Sequence, residues 1–272
     1  MNSRAGLVRD IKNLWPETVS RAGIPSALPA LPKGDIRLLG SSLKVEKGEA
    51  MGWTTRVLYM APGSEAFGGD GRTLCPWAGS CEAVCLGHNS GQMAMSNSKR
   101  ARLWKTAFYM GDRHRWRDLL QLEVDAFGSR GGKRAVRVDG TSDTGEARKL
   151  WSRGVQLYDY TKNLGRAKRV NTLWSPGLWH VTYSVSERSN LLDVDNLLRD
   201  GGNAAVVFAA RKGEPLPKTW RGHEVVDGDA HDLRFLDGPG KVAGLRFKAA
   251  RAPAAMMQQG IEGGFVFPAE DS

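Results

Sequence analysis

No run in the 272 residues approaches the roughly 18 consecutive apolar residues that a membrane span requires, so no membrane role is expected. The opening stretch MNSRAGLVRDIKNLW lacks the apolar core of a secretory signal, and a cytoplasmic location is the expectation. Cysteine is scarce, with 3 in the chain, and in a reducing compartment disulfides are not expected. Three thiols cannot all pair with one another in any case. Histidine is scarce too, at 5, and no histidine stands two residues from another. Acidic residues are outnumbered, 29 against 39 basic, which leaves a net charge of +10. An excess of that size attracts polyanions, so DNA or RNA is the first macromolecular partner to consider.

What cysteine there is falls in one place. CPWAGSCEAVCLGH, residues 75–88, holds Cys75, Cys81 and Cys85 between the glycine-rich GGDGR and Gly87. Thiols used as small hydrophobes would be scattered through the core; clustered thiols point to metal or redox chemistry. Zinc wants four ligands in a tetrahedron, and His88 offers a fourth in a Cys3His set. The spacing C-x5-C-x3-C-x2-H is not the paired C-x2–4-C knuckle usual for structural zinc. An iron–sulfur cluster needs thiolates on its irons, and three thiolates leave one iron of a cubane open. Both metals stay open on the loop alone.

The chain then reads as an α/β protein. Leu7, Ile11, Leu14 and Trp15 have helical spacing and are followed by Pro16, and the proline-rich IPSALPALPKGD reads as an extended strap. Residues 1–50 are therefore set apart from a single domain over 51–250 and a tail over 251–272. A strand ending at Met60 delivers the chain to the cysteine loop. Residues 97–127 have the longest helical pattern, with a break expected near Gly111. Strands follow at 134–138, 155–160, 179–185, 204–208, 223–226 and 242–247, with a short helix expected at 145–153. Strands alternating with helices predict parallel βα units. Six or seven of them predict a partial or irregular βα barrel with the cysteine loop after its first strand; a doubly wound open sheet is the runner-up. No role is assigned to the tail.

In parallel βα folds the loops after the strands gather on one face. Asp139, Thr141, Ser142, Asp143, Tyr158, Tyr160, Lys162, Ser184, Glu187, Arg211, Asp227, Asp229 and Lys248 are therefore expected around the cysteines. A second feature is the basic tract Lys99, Arg100, Arg102, Lys105, Arg113, Arg115 and Arg117, interleaved with Trp104, Tyr109 and Trp116. Cations with aromatics can hold phosphates and stack bases, and equally can be a solvated helix face over core aromatics.

The three-cysteine loop after the first strand of such a barrel resembles the radical S-adenosylmethionine superfamily. That resemblance implies a 4Fe-4S cluster on Cys75, Cys81 and Cys85, whose open iron binds S-adenosylmethionine. It places Gly140, Thr141, Ser142 and Asp143 near the methionine amine, and Ser184 and Glu187 near the ribose. The superfamily's usual spacing is C-x3-C-x2-C, where this chain has C-x5-C-x3-C. A nearer resemblance is to a largely phage-encoded family, the gene-product-eighty-eight-like proteins. It rests on YMAP, CPWAGSCEAVCLG, WKTAFYMGD, VDGTSDTG and YDYTK, and implies no activity. Tyr158 to Lys162 also matches the Y-x-x-x-K of rolling-circle nicking enzymes, but their H-x-H metal strand has no counterpart here. Two function classes follow. One is an iron–sulfur enzyme or enzyme-derived protein, acting on or binding nucleic acid; the other is a zinc-stapled, non-catalytic nucleic-acid-binding protein.

Overall fold

A computed structural model describes residues 3–25, 30–42, 46–89, 91–152, 154–173, 179–249 and 253–270. Two helices come first, α1 (Arg4–Asn13) and α2 (Trp15–Ala22). Ser3 caps α1 by accepting from the Gly6 amide, and Leu7 and Ile11 are its buried face. Pro16 does not end the helical region, as its position had implied. It sits in the first turn of α2, where a missing N–H leaves no bond unmade. Residues 26–29 of the proline-rich strap lie outside the described residues, but Ile24, Ile36 and Leu38 on either side are buried in the main core.

The strand β1 (Leu39–Gly40) pairs antiparallel with β2 (Trp53–Leu58), after which the chain enters the cysteine loop. Beyond the loop lie a single helical turn, α3 (Leu86–Asn89), and the long helices α4 (Ser96–Gly111) and α5 (Arg113–Gly128). The break falls where the sequence placed it. Asp112 leaves helical geometry and caps α5 through the Arg115 amide, while Gly111 lies so close to α2 that a Cβ there would sit 1.9 Å from the Thr18 carbonyl oxygen.

Then come β3 (Lys133–Arg137), β4 (Gln156–Thr161), α6 (Leu164–Leu173), β5 (Trp179–Ser184), α7 (Leu191–Arg199) and β6 (Asn203–Phe208). The chain closes with β7 (Thr219–Trp220), β8 (His223–Asp227), β9 (Val242–Arg246), α8 (Pro253–Glu262) and β10 (Val266–Phe267). The helix expected over 145–153 is instead a 3-10 turn, Glu146–Lys149, and residue 153 lies outside the described residues. Glu146 is drawn inward to Arg117 and Tyr109, and Leu150 is already extended, so no further helical turn forms.

β2, β3, β4, β5, β6, β9 and β8 lie side by side in that order, all parallel, with β1 and β7 antiparallel on the outer edges. The order from β2 to β6 follows the chain, without the reversal that defines a doubly wound sheet. The sheet is not closed. Val136, Leu157, Val181 and Val206 share one buried apolar cluster with Leu103, Ala107, Trp116 and Leu120 of α4 and α5, Ala167 of α6 and Val194 of α7. On the other face Ala135 and Tyr158 meet Leu233 and Phe235, from the segment between β8 and β9. The tail is part of the sheet: β10 pairs with Val207 and Phe208 of β6, beyond the point where β5 pairs with Asn203–Ala205.

Candidate functional site

Beyond the carboxyl ends of β2 to β5 lies a cavity of about 120 Å³ whose wall includes Cys75, Cys81 and Cys85. Ser142, Asp143, Tyr160, Thr161, Lys162 and Ser184 line it as well, so the strand ends and the cysteine loop meet as their order in the chain implied. The GTSD segment is tied to strand β2 and to the loop by backbone bonds. Gly140 N–H donates to the Leu58 carbonyl at 3.0 Å, and Asp143 N–H to the Leu74 carbonyl at 2.9 Å. Gly140 has no room for a side chain, since a Cβ would stand 2.6 Å from Val57. The Thr141 hydroxyl donates to the Met60 carbonyl, and Ser142 to Asp139.

The loop is held by two carboxylates. Glu187, after β5, accepts from the Ser80 amide at 2.9 Å and its hydroxyl at 2.6 Å. Glu82 does the same for Ser64, at 2.9 and 2.8 Å. Between them Gly79 passes so close to Glu187 that a Cβ would overlap the carboxylate at 1.7 Å. Two sulfurs receive backbone donors: Gly63 N–H lies 3.3 Å from Cys75 Sγ, and Gly87 N–H lies 3.4 Å from Cys85 Sγ. Burial pushes all three thiols up, Cys75 to about 12. The Cys85 thiol adds to that rise at Cys75, the Cys81 thiol adds to it at Cys85, and the Lys162 ammonium works against it at Cys81. Such thiols stay protonated at neutral pH unless a cation takes the proton's place.

The strand-end residues divide by partner. Asp143 is engaged within the chain: it accepts from Thr161 Oγ1 at 2.8 Å and from the Lys162 amide at 2.9 Å, and pairs with Arg166. Lys162 donates from Nζ to Ser184 Oγ at 2.8 Å and stands 4.6 Å over the ring of Phe265. Tyr160 also lines the wall, with Arg137 over its ring, and its buried hydroxyl has no hydrogen-bond partner. Asp139 lies in a buried network with Ser142, Thr144 and the Gly145 amide, and burial raises its pKa. Tyr158 donates instead to Asp232, while Asp227, Asp229, Arg246 and Lys248 pair among themselves, outside the cavity wall. The Arg211 backbone amide donates to the Glu214 carboxylate at 2.6 Å.

His88 does not line the cavity. Its Nδ1 lies 3.5 Å from Glu65, which is itself paired with Arg102. Among the described residues no group of three or more His, Cys, Asp or Glu side chains is arranged to hold a metal ion. Every donor to one zinc must sit about 2.0–2.3 Å from a common centre. The thiolates of a cluster each bind a different iron, so they need only face a common space.

The basic tract is not a single cationic face. Arg102, 2% exposed, pairs with Glu65 and donates to the Met93 carbonyl; Lys105, 8% exposed, donates to the Leu38 carbonyl at 2.7 Å. Arg115 pairs with the cap Asp112, and Arg117 with Glu146. Trp104, Tyr109 and Trp116 are buried and leave no ring free to stack. Lys99, Arg100 and Arg113 remain exposed, Arg113 lying 4.2 Å over the Tyr109 ring. Sequence reasoning missed Arg166, Glu82 and Phe265. Arg166 and Glu82 look like ordinary helix and loop charges, and Phe265 belongs to a tail with no strand pattern.

A family model described as Gene product 88 matches residues 33–260. No curated protein and no solved structure matches the chain. Nothing among these comparisons supports the likeness to the radical S-adenosylmethionine superfamily.

Proposed function

The chain belongs to the gene product 88 family, and from that premise we propose that it is an iron–sulfur protein carrying a 4Fe-4S cluster on Cys75, Cys81 and Cys85. The observation that carries this reading is the shared cavity. Three thiols from one loop face the same small space at the carboxyl ends of parallel strands, and two of them accept backbone N–H bonds. Amide donors to cysteine sulfur are among the protein's means of tuning such clusters. The donor set fits: sulfur is the ligand iron–sulfur clusters use, and the thiols have no disulfide partner. The zinc reading needs a fourth donor on a common centre, and His88 is turned to Glu65.

The cluster supplies one-electron chemistry and, with three thiolates, an iron open to an exchangeable ligand. The chain's own residues do the rest. Glu187 and Glu82 fix the loop, the amides of Gly63 and Gly87 stabilise thiolate charge, and Val84, Phe247 and Val266 pack as an apolar cluster nearby. S-adenosylmethionine is the exchangeable ligand the resemblance implies. Asp143, already paired with Arg166, would give up that pair to meet its ammonium. The α4–α5 tract, largely spent on internal pairs, adds no support for nucleic acid as the substrate.

Anaerobically purified or reconstituted protein should be brown, with broad absorption near roughly 400 nm, and should carry iron and acid-labile sulfide together. Replacing any one of the three cysteines with serine should remove most of both. Colourless protein with one zinc per chain would overturn the proposal. Calorimetry on the loaded protein decides whether S-adenosylmethionine binds.

A further inference from the structure

Lys162 is a cation in a place that ordinarily excludes one. Its side chain lines the cavity with the three thiols, its Nζ donates to Ser184 Oγ at 2.8 Å, and Phe265 covers it from the tail. Among the described residues no carboxylate lies within ion-pair distance of Nζ, although two are close in sequence or space. Asp143 takes the Lys162 amide and Arg166, and Glu187 takes Ser80. A half-buried ammonium without a counter-ion is costly, and proteins seldom keep one except beside a charge it serves. The charge that acts on it most strongly across the cavity is that of Cys81, ahead of Asp143, Glu187 and Cys75.

We propose that Lys162 is the counter-ion of the metal–sulfur group held by Cys75, Cys81 and Cys85, and that it sets the potential of that group. The inference rests on the iron–sulfur reading above. Cluster potentials depend on net charge, hydrogen bonds to sulfur and exposure, and a fixed positive charge within the wall stabilises the state that has gained an electron. Ser184 aims the ammonium, and the Phe265 ring lies against it. Lys162 acts here as a positioning and tuning residue, and no proton transfer is assigned to it.

The test compares wild type, Lys162→Met and Lys162→Arg as full chains, reconstituted anaerobically and matched for iron and sulfide content. Each is titrated with dithionite, one electron per cluster, and followed by visible absorption and electron paramagnetic resonance. Lys162→Met should have a more negative potential. A tenfold fall in the one-electron reduction equilibrium corresponds to about 59 mV. Lys162→Arg should recover most of the shift. Should Lys162→Met fail to load, Ser184→Ala keeps the ammonium but removes its anchor, and a smaller shift of the same sign is expected. Equal potentials in all loaded variants would overturn the inference while leaving the cluster intact. A wild-type chain that takes up no iron or sulfide would instead overturn the iron–sulfur reading itself.

Discussion

At the scale of single residues the site depends on positions that carry no chemistry. Gly79 is one. A methyl group there would occupy the space of the Glu187 carboxylate, which would have to release both of its bonds to Ser80. Hydrogen bonds to a charged group contribute about 1.5–3 kcal/mol each, so Gly79→Ala should loosen the loop and lower iron retention more than it lowers the unfolding midpoint. Iron content and thermal melting on the same sample check this. Arg102 is another. Removing it leaves the Glu65 carboxylate, with a side chain 6% exposed, without its guanidinium; breaking a buried pair on one side costs about 3–5 kcal/mol. Arg102→Ala should therefore appear in urea unfolding as a stability defect, with no need to invoke a lost nucleic acid.

Lys105 gives a pH prediction. Burial brings its pKa down from 10.5 to about 8, so the unfolded chain binds the proton more tightly than the folded one. Stability from this group therefore rises with pH between about 8 and 10.5, and the penalty is complete below about 8. The nearby Glu123, whose pKa burial raises, adds its own dependence at lower pH, where stability falls as pH rises through the gap between its unfolded and folded values. Measured against pH, the unfolding free energy of Lys105→Met relative to wild type should grow in the variant's favour from about 10.5 down to 8 and then level off. A flat difference would mean that Lys105 is charged and at ease where it lies.

At the scale of elements, strands were more legible than the pieces between them. The runs ending at Val138, Tyr160 and Val185 announced themselves by β-branched and aromatic residues, and each lies within a residue of an observed end of β3, β4 or β5. The expected helix after β3 failed because Glu146 serves α4 and α5, a demand made by distant residues and invisible in local propensity. Asp112 could be read as a break but not as a cap, since its acceptor role needs the Arg115 amide in place. Asp112→Ala should cost about 1 kcal/mol by loss of that cap, measurable by denaturant unfolding. β10 was missed entirely: Val266–Phe267 is too short to show alternation, and its partner is chosen by the space β5 leaves on β6. Phe265→Ala should leave the sheet intact by circular dichroism and make a bound cluster more sensitive to oxygen, because Lys162 in the cavity wall loses the ring that lies over it.

At the scale of the whole molecule, the order of the parallel strands was readable in outline, because each strand end carried its polar cluster. What could not be read was which clusters meet. Asp143, Lys162 and Ser184 reach the cysteines, while Asp227, Asp229 and Lys248 satisfy one another on the far strands. The residues between β8 and β9 account for part of that division. Asp232, Leu233 and Phe235 fill the second face of the sheet against Arg137 and Tyr158, leaving the cysteine end as the place where strand termini open onto a cavity. The net charge of +10 says that cations exceed carboxylates but not which cations lie free on a surface, and in α4 and α5 Arg102, Arg115 and Arg117 already hold carboxylates.

β10 and Phe265 also bear on the order in which the site is made. A ribosome delivers Cys75, Cys81 and Cys85 long before the tail that packs on Val84 and Lys162, and strands β3 to β6 can form while that segment is still untranslated. Through this interval the thiols stand on a growing chain without the residues that pack on Val84 of their loop. A metal donor arriving then meets a looser loop than one arriving after Phe265 has docked on Lys162. Synthesis in a cell-free system with the donor added before or after release should therefore load the chain at different rates.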